Sequence, residues 1–89
     1  MERRELTIIN KLGLHARAAA RFVALASRFE CQIRVMRGER TVNGKSIMGV
    51  MMLAAGRGSS ITVEAEGEDE HQALDALEML VNNRFEEKE

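Results

Sequence analysis

One histidine in this chain stands where its surroundings invite chemistry. In "KLGLHARAAARFV", residues 11–23, the apolar spacing predicts a helix that begins at Ala16, which makes His15 its N-cap. That position usually holds Ser, Thr, Asp or Asn. At a helix start the backbone N–H groups, here of Ala16, Arg17 and Ala18, lack acceptors and point outward with the positive end of the helix dipole. That combination binds anions such as phosphate. The same positive end favours the neutral, nucleophilic form of an imidazole. Gly13 permits a tight backbone approach just before the ring, and the Arg17 guanidinium can add contacts to a phosphoryl oxygen. The residues alone therefore support a phosphate-handling histidine, against the plainer reading of a capping or surface one. Metal binding is not expected, because His71 is the only other histidine and Cys31 the only cysteine, and neither lies at ligand spacing. No cofactor is implied. Cys31 reads as a structural thiol and His71, beyond the acidic "GEDE" cluster, as a solvated surface residue.

Eighty-nine residues suffice for one domain, spanning 1–89, and are too few for a deep substrate cavity with a second domain around it. The formal net charge of −1 hides an asymmetry: residues 1–46 carry ten Lys/Arg against four Asp/Glu, and residues 47–89 carry three against ten. His15 lies in the basic half, which suits an acidic or phosphorylated partner. With three Phe and neither Trp nor Tyr, rings for stacking on bases are scarce, and nucleic acid is not an expected partner. No signal peptide is visible at the start, and the longest apolar run, Ile47 to Ala55, contains Gly49 and is too short to span a bilayer. A cytoplasmic protein without membrane insertion is expected.

Strand patterns fall at Glu5–Ile9, Gln32–Met36, Arg40–Asn43 and Ser60–Glu66, the last alternating strictly through Ile61, Val63 and Ala65. "MRGERT" around Gly38 should close the second and third strands into a hairpin. Thr7, Arg34, Thr62 and Glu64 on the opposite faces predict a sheet that is wet on one side, an antiparallel arrangement. The first helix carries Ala19, Phe22, Val23, Ala26 and Phe29 on one stripe. The last starts at Asp69, with Gln72 placed as in a capping box, and lines up Ala73, Leu74, Leu77, Leu80 and Val81. Both should cover the apolar face of the sheet. Between them "SIMGVMML" has no polar side, so Val50 and Leu53 should face the core while Ile47, Met48 and Met51 stay at least partly exposed as a soft docking patch.

Three stretches, "NKLGLHARAAARFV", "VNGKSIMGVMMLAA" and "AEGEDEHQAL", closely resemble the HPr family of the bacterial phosphoenolpyruvate-dependent phosphotransferase system, in matching order and spacing. The resemblance implies an α+β fold, an open-faced β-sandwich in which three helices cover one face of a four-stranded antiparallel sheet in the order βαββαβα. It implies that the chain is a phosphoryl carrier and not an enzyme. His15 would take a phosphoryl group on Nδ1 from phosphorylated enzyme I and give it to an enzyme IIA protein or domain, with Arg17 stabilising the phosphate. Ser46 matches a serine that an HPr kinase/phosphorylase modifies; its plainer role, N-cap of the short helix, is compatible with that. Ala20, Ile47, Met48 and Met51 are the docking positions, and a monomer is expected because every partner needs the same small face. One departure is Ala18, where the family usually has proline; a first-turn alanine is a compatible replacement that restores one donor. Two other readings are a mainly regulatory protein that docks through Ser46, and a small RNA-binding α/β module, which would need aromatics on its exposed sheet face.

Overall fold

In the computed structural model, which describes residues 1–89, four strands and three helices follow one another as β1 (Glu2–Thr7), α1 (Ala16–Ala26), β2 (Gln32–Arg37), β3 (Arg40–Asn43), α2 (Ile47–Met52), β4 (Ser60–Glu66) and α3 (Glu70–Asn82). The sheet is antiparallel throughout, in the order β1-β4-β2-β3. All three helices lie on one face: α3 on β1 and β4, α2 beside β3, and α1 against both other helices. The α+β open-faced sandwich is thus the observed architecture. The predicted stripes supply its core, with Phe22, Leu74, Leu77, Ile61, Val63 and Val35 almost wholly removed from water. Each such side chain contributes about 1.5–3 kcal/mol of burial.

The strand at the start of the chain is displaced from its expected position. It begins at Glu2, not Glu5, and its regular pairing ends at Thr7, where Ile8 continues into an irregular stretch through the Ser59 carbonyl. Charge hides the early residues from an apolar pattern. Arg4 lies under α3 and donates to Asp75 at 2.7 Å and Glu78 at 2.9 Å, while Arg3 on the other face pairs with Glu64. Glu64 in turn is buried although it sits on the face expected to be wet. The cross-strand register places Arg3 and Arg34 on either side of it, and hydrogen bonds from Arg34 and then Arg3 hold its carboxyl below the ordinary value.

The start of α3 also differs. Asp69 does occupy the N-cap, but its carboxylate caps no residue of its own helix; it accepts from the backbone N–H groups of Glu30 (2.9 Å) and Cys31 (3.0 Å), fastening the turn before β2. Glu70, not Gln72, reaches back, accepting from the Gly67 N–H at 3.1 Å. Cys31 is buried there, and burial, with Asp69 beside it, pushes its thiol up to about 11, as suits a structural cysteine.

Val50 and Leu53 face the core, as expected, and Ile47, Met48 and Met51 are exposed. Met52 and Leu12 are exposed as well, so the apolar surface is wider than the pattern of the short helix alone indicated. No helix is long and apolar enough to cross a membrane.

Candidate functional site

Three separate parts of the chain build the surroundings of His15. The first is its own loop. His15 is the N-cap of α1, with extended backbone (φ −77°, ψ 179°) and no side-chain capping bond. The first N–H of the helix to find a backbone acceptor is that of Ala19, on the His15 carbonyl at 2.8 Å, so the amides of Ala16, Arg17 and Ala18 are free of backbone partners. Ala16 and Arg17 are exposed residues, whereas Ala18 is wholly removed from solvent, its amide included, so of the three amides named from the sequence two lie where an anion could reach them.

The second part is the turn after α2. The Leu14 N–H donates to the Ala55 carbonyl at 2.9 Å. Gly13 (φ +68°) lies against the same turn so closely that a Cβ there would stand 2.6 Å from the Ala55 oxygen and 2.8 Å from Gly56 Cα. Glycine is needed at position 13 both for its left-handed backbone and for this approach. The His15 loop and the helix that Ser46 caps are thereby joined. The Ser46 hydroxyl accepts from the Gly49 N–H at 3.1 Å, the expected N-cap bond.

The third part is the C-terminal segment, which sequence reasoning did not bring to the site. After Asn82 the chain makes a single turn of left-handed sense, with φ of 54°, 54° and 65° at Arg84, Phe85 and Glu86. Non-glycine residues in that region cost about 1–2 kcal/mol each. The turn persists because Phe85 is wholly buried and because Arg21 of α1 donates to the Phe85 carbonyl at 2.6 Å. Beyond it Glu87 turns back to His15, with its Oε2 2.6 Å from the ring Nε2. The other oxygen, Oε1, accepts from Asn10 Nδ2 at 3.0 Å, and the same amide donates to the Gly13 carbonyl at 2.8 Å. Burial alone would push the Glu87 carboxyl up, but the bonds from Asn10 and then His15 outweigh it and hold the group below the ordinary carboxylate value. The Lys11 N–H donates to the Glu89 carbonyl at 2.5 Å.

The first and third parts line an open depression whose charged residues are the cations Lys11, Arg17, Arg21 and Lys88 and the anions Glu86, Glu87 and Glu89. The basic charge of the first half is thus partly offset at the site by the end of the chain. Arg17 is exposed and takes part in no ion pair, so its guanidinium is available to an incoming anion. Ala20 is half-buried on α1, one turn from His15. His71 lies apart, hydrogen-bonded to Glu2 at 3.1 Å and facing Asp75 at 3.4 Å. No group of three His, Cys, Asp or Glu side chains could hold a metal ion.

Comparison with known proteins bears on this arrangement. A family model described as "PTS HPr component phosphorylation site" matches residues 2–83. The chain is 63% identical over 86 residues to a protein named phosphocarrier protein HPr from Pseudomonas aeruginosa, a match covering 96% of each chain. It is 58% identical over 90 residues to the protein of the same name from Pseudomonas putida, covering all of both. A crystal structure of HPr-C-His from Thermoanaerobacter tengcongensis superposes with a TM-score of 0.96, at 45% identity and with full coverage of both chains.

Proposed function

Because the chain belongs to the HPr family, and is accordingly a phosphoryl carrier of the phosphotransferase system and no enzyme, we propose that His15 is the residue that carries the phosphoryl group. It would receive the group from phosphorylated enzyme I in the cytoplasm and pass it to an enzyme IIA protein or domain. One observation carries the assignment: His15 stands at the N-terminus of α1 beside the exposed Ala16 and Arg17, whose amides lack backbone acceptors, with the Arg17 guanidinium unpaired, in a depression open to a partner. Incubation with phosphoenolpyruvate and enzyme I should give an acid-labile phosphoryl group with the phosphorus signal of a phosphoramidate. A stable phosphoester, or no modification, would sink the assignment.

Arg17 has the role of stabilising charge on the phosphoryl oxygens as they transfer. Arg17→Ala should slow single-turnover transfer roughly 10- to 100-fold while changing the affinity for enzyme I little. Lysine should restore part of the rate, since it supplies the charge without the planar fork. A wild-type rate in rapid-quench measurements on Arg17→Ala removes the residue from the site.

Ser46 is proposed as a regulatory phosphorylation site for an HPr kinase/phosphorylase, with Ala20, Ile47, Met48 and Met51 as docking positions. Its hydroxyl caps the short helix that carries the exposed Met48 and Met51. A negative charge there suits the start of α2, so the fold should hold. It also has to be desolvated beneath any partner that covers those methionines. Ser46→Asp should weaken docking of enzyme I roughly tenfold at low salt, about 1.4 kcal/mol. Equal calorimetric affinities for the variant and the wild type at low salt would leave Ser46 as a helix cap only.

The RNA-binding reading finds no support in the exposed face of the sheet. That face presents Arg3, Arg34, Thr62 and Glu64, while Phe22 and Phe85 are in the core and Phe29 packs against it.

A further inference from the structure

We propose that Glu87 is a positioning residue for phosphoryl transfer: its carboxylate keeps the imidazole proton of His15 on Nε2 and thereby leaves Nδ1 as the nucleophile. The proposal rests on the reading of His15 as the phosphoryl acceptor and adds a residue to that site.

An ionised carboxylate only accepts hydrogen bonds, so a 2.6 Å contact between Glu87 Oε2 and His15 Nε2 requires the ring nitrogen to donate. A neutral imidazole has one N–H, so the lone pair is left on Nδ1. The two nitrogens lie on different edges of the ring, which keeps the carboxylate away from the edge that meets phosphorus.

Glu87 is not a chance surface neighbour. Its side chain is only 14% exposed, and the amide that holds Oε1 belongs to Asn10, which is wholly buried and spans from the Gly13 carbonyl to Glu87. The preceding left-handed turn is fixed by the Phe85 ring and by Arg21, a residue of the same helix that His15 caps. Both ends of the contact are therefore referred to one rigid element, which is the condition for a positioned charge.

The step that follows moves no proton. The Nδ1 lone pair attacks phosphorus and an N–P bond forms, while the bond from phosphorus to the phosphorylated protein donor breaks and its electron pair leaves with the donor. The Nε2 proton stays, so the product is a phosphoimidazolium whose positive charge lies against the Glu87 carboxylate. Onward transfer reverses the sequence: the acceptor's nucleophile attacks phosphorus and the N–P electron pair returns to Nδ1.

The test compares Glu87→Ala and Glu87→Gln with the wild type in two measurements, with the backbone amide spectrum of each checked for the native fold. In nitrogen-15-labelled, unphosphorylated protein at mildly alkaline pH, wild type should show a slowly exchanging downfield proton on Nε2 of His15. The alanine variant should lose it, and glutamine, which keeps an acceptor oxygen, should retain it with a smaller downfield shift. In single-turnover transfer from phosphorylated enzyme I, alanine should be slowed about tenfold with its half-saturating donor concentration unchanged, and glutamine should recover part of that loss. Survival of the protected Nε2 proton in Glu87→Ala overturns the proposal, and so does a wild-type transfer rate in that variant. The spectroscopic arm needs no phosphoryl donor. A wild-type chain that shows the Nε2 proton but takes no phosphoryl group would instead overturn the acceptor reading itself.

Discussion

Replacing His15 with alanine is expected to abolish acceptance of an acid-labile phosphoryl group while leaving a folded protein. Histidine is a poor N-cap and makes no capping bond here, so the main loss is its 2.6 Å bond to Glu87, about 1.5–3 kcal/mol and less than the stability of a typical domain. The Glu87 carboxylate would still be held by Asn10, and the Leu14 to Ala55 bond that sets the loop involves no atom of the ring. The chemical loss should be complete, because nothing else in the chain can take over. His71 is exposed, but its Nδ1 lies 3.1 Å from Glu2 and its Nε2 3.4 Å from Asp75, and the nearby Arg4 guanidinium is itself paired with Glu2, Asp75 and Glu78, so neither ring nitrogen faces a free cation. Phosphorus NMR after incubation with phosphoenolpyruvate and enzyme I checks both halves of the expectation. A signal of wild-type intensity in the folded variant would place the acceptor elsewhere.

The second large effect should come from a residue that touches no substrate. Phe85 is wholly buried in the middle of the left-handed turn, and truncating it to alanine should cost about 3–5 kcal/mol. In a domain of this size that is a large part of the whole stability and corresponds to a fall in Tm on the order of 15–25 °C. The effect should reach the site, since the ring is the anchor from which Glu87 returns to His15. Thermal unfolding followed by circular dichroism tests the first claim. The disappearance of the protected Nε2 proton at temperatures where the variant is still folded tests the second. An unchanged Tm would show that the terminal turn is dispensable to the core.

How far the sequence disclosed this arrangement depended on whether a residue's role was local. His15, Arg17 and the free amides could be read from one helix start, because capping geometry depends only on a few consecutive residues. The strand Ser60–Glu66 has the bounds its alternation predicts, with Ile61, Val63 and Ala65 in the core, and the exposure of Met48 followed from a helix with no polar side. Where a side chain answers to a distant partner, the local pattern misleads. Asp69 resembles a cap for its own helix and instead fastens the turn at Glu30 and Cys31; Glu64 has the spacing of a solvent-facing residue and is buried between two arginines. Glu87 was the least legible. It is one of three glutamates in the last five residues, with no period to single it out, and what selects it is the packing of Phe85 and the amide of Asn10, neither of which local spacing expresses.

The order β1-β4-β2-β3 has a kinetic consequence. Only β2 and β3 are neighbours both in the chain and in the sheet; every other pairing, such as Glu2 with Ala65 or Gln32 with Glu66, closes a long loop before it gains anything. A hairpin can form early, within about 1–10 μs, but a topology dominated by distant contacts is expected to fold more slowly than a helical bundle of the same length. The surroundings of His15 draw on the loop after the first strand, the turn after the second helix and the last few residues. Bringing them together therefore requires the long-range pairings to be in place. An unfolded chain has its histidine but neither the Glu87 carboxylate behind it nor the tethered helix start, and is expected to be a poor recipient. Phosphorylation, on this view, also reports that folding is finished.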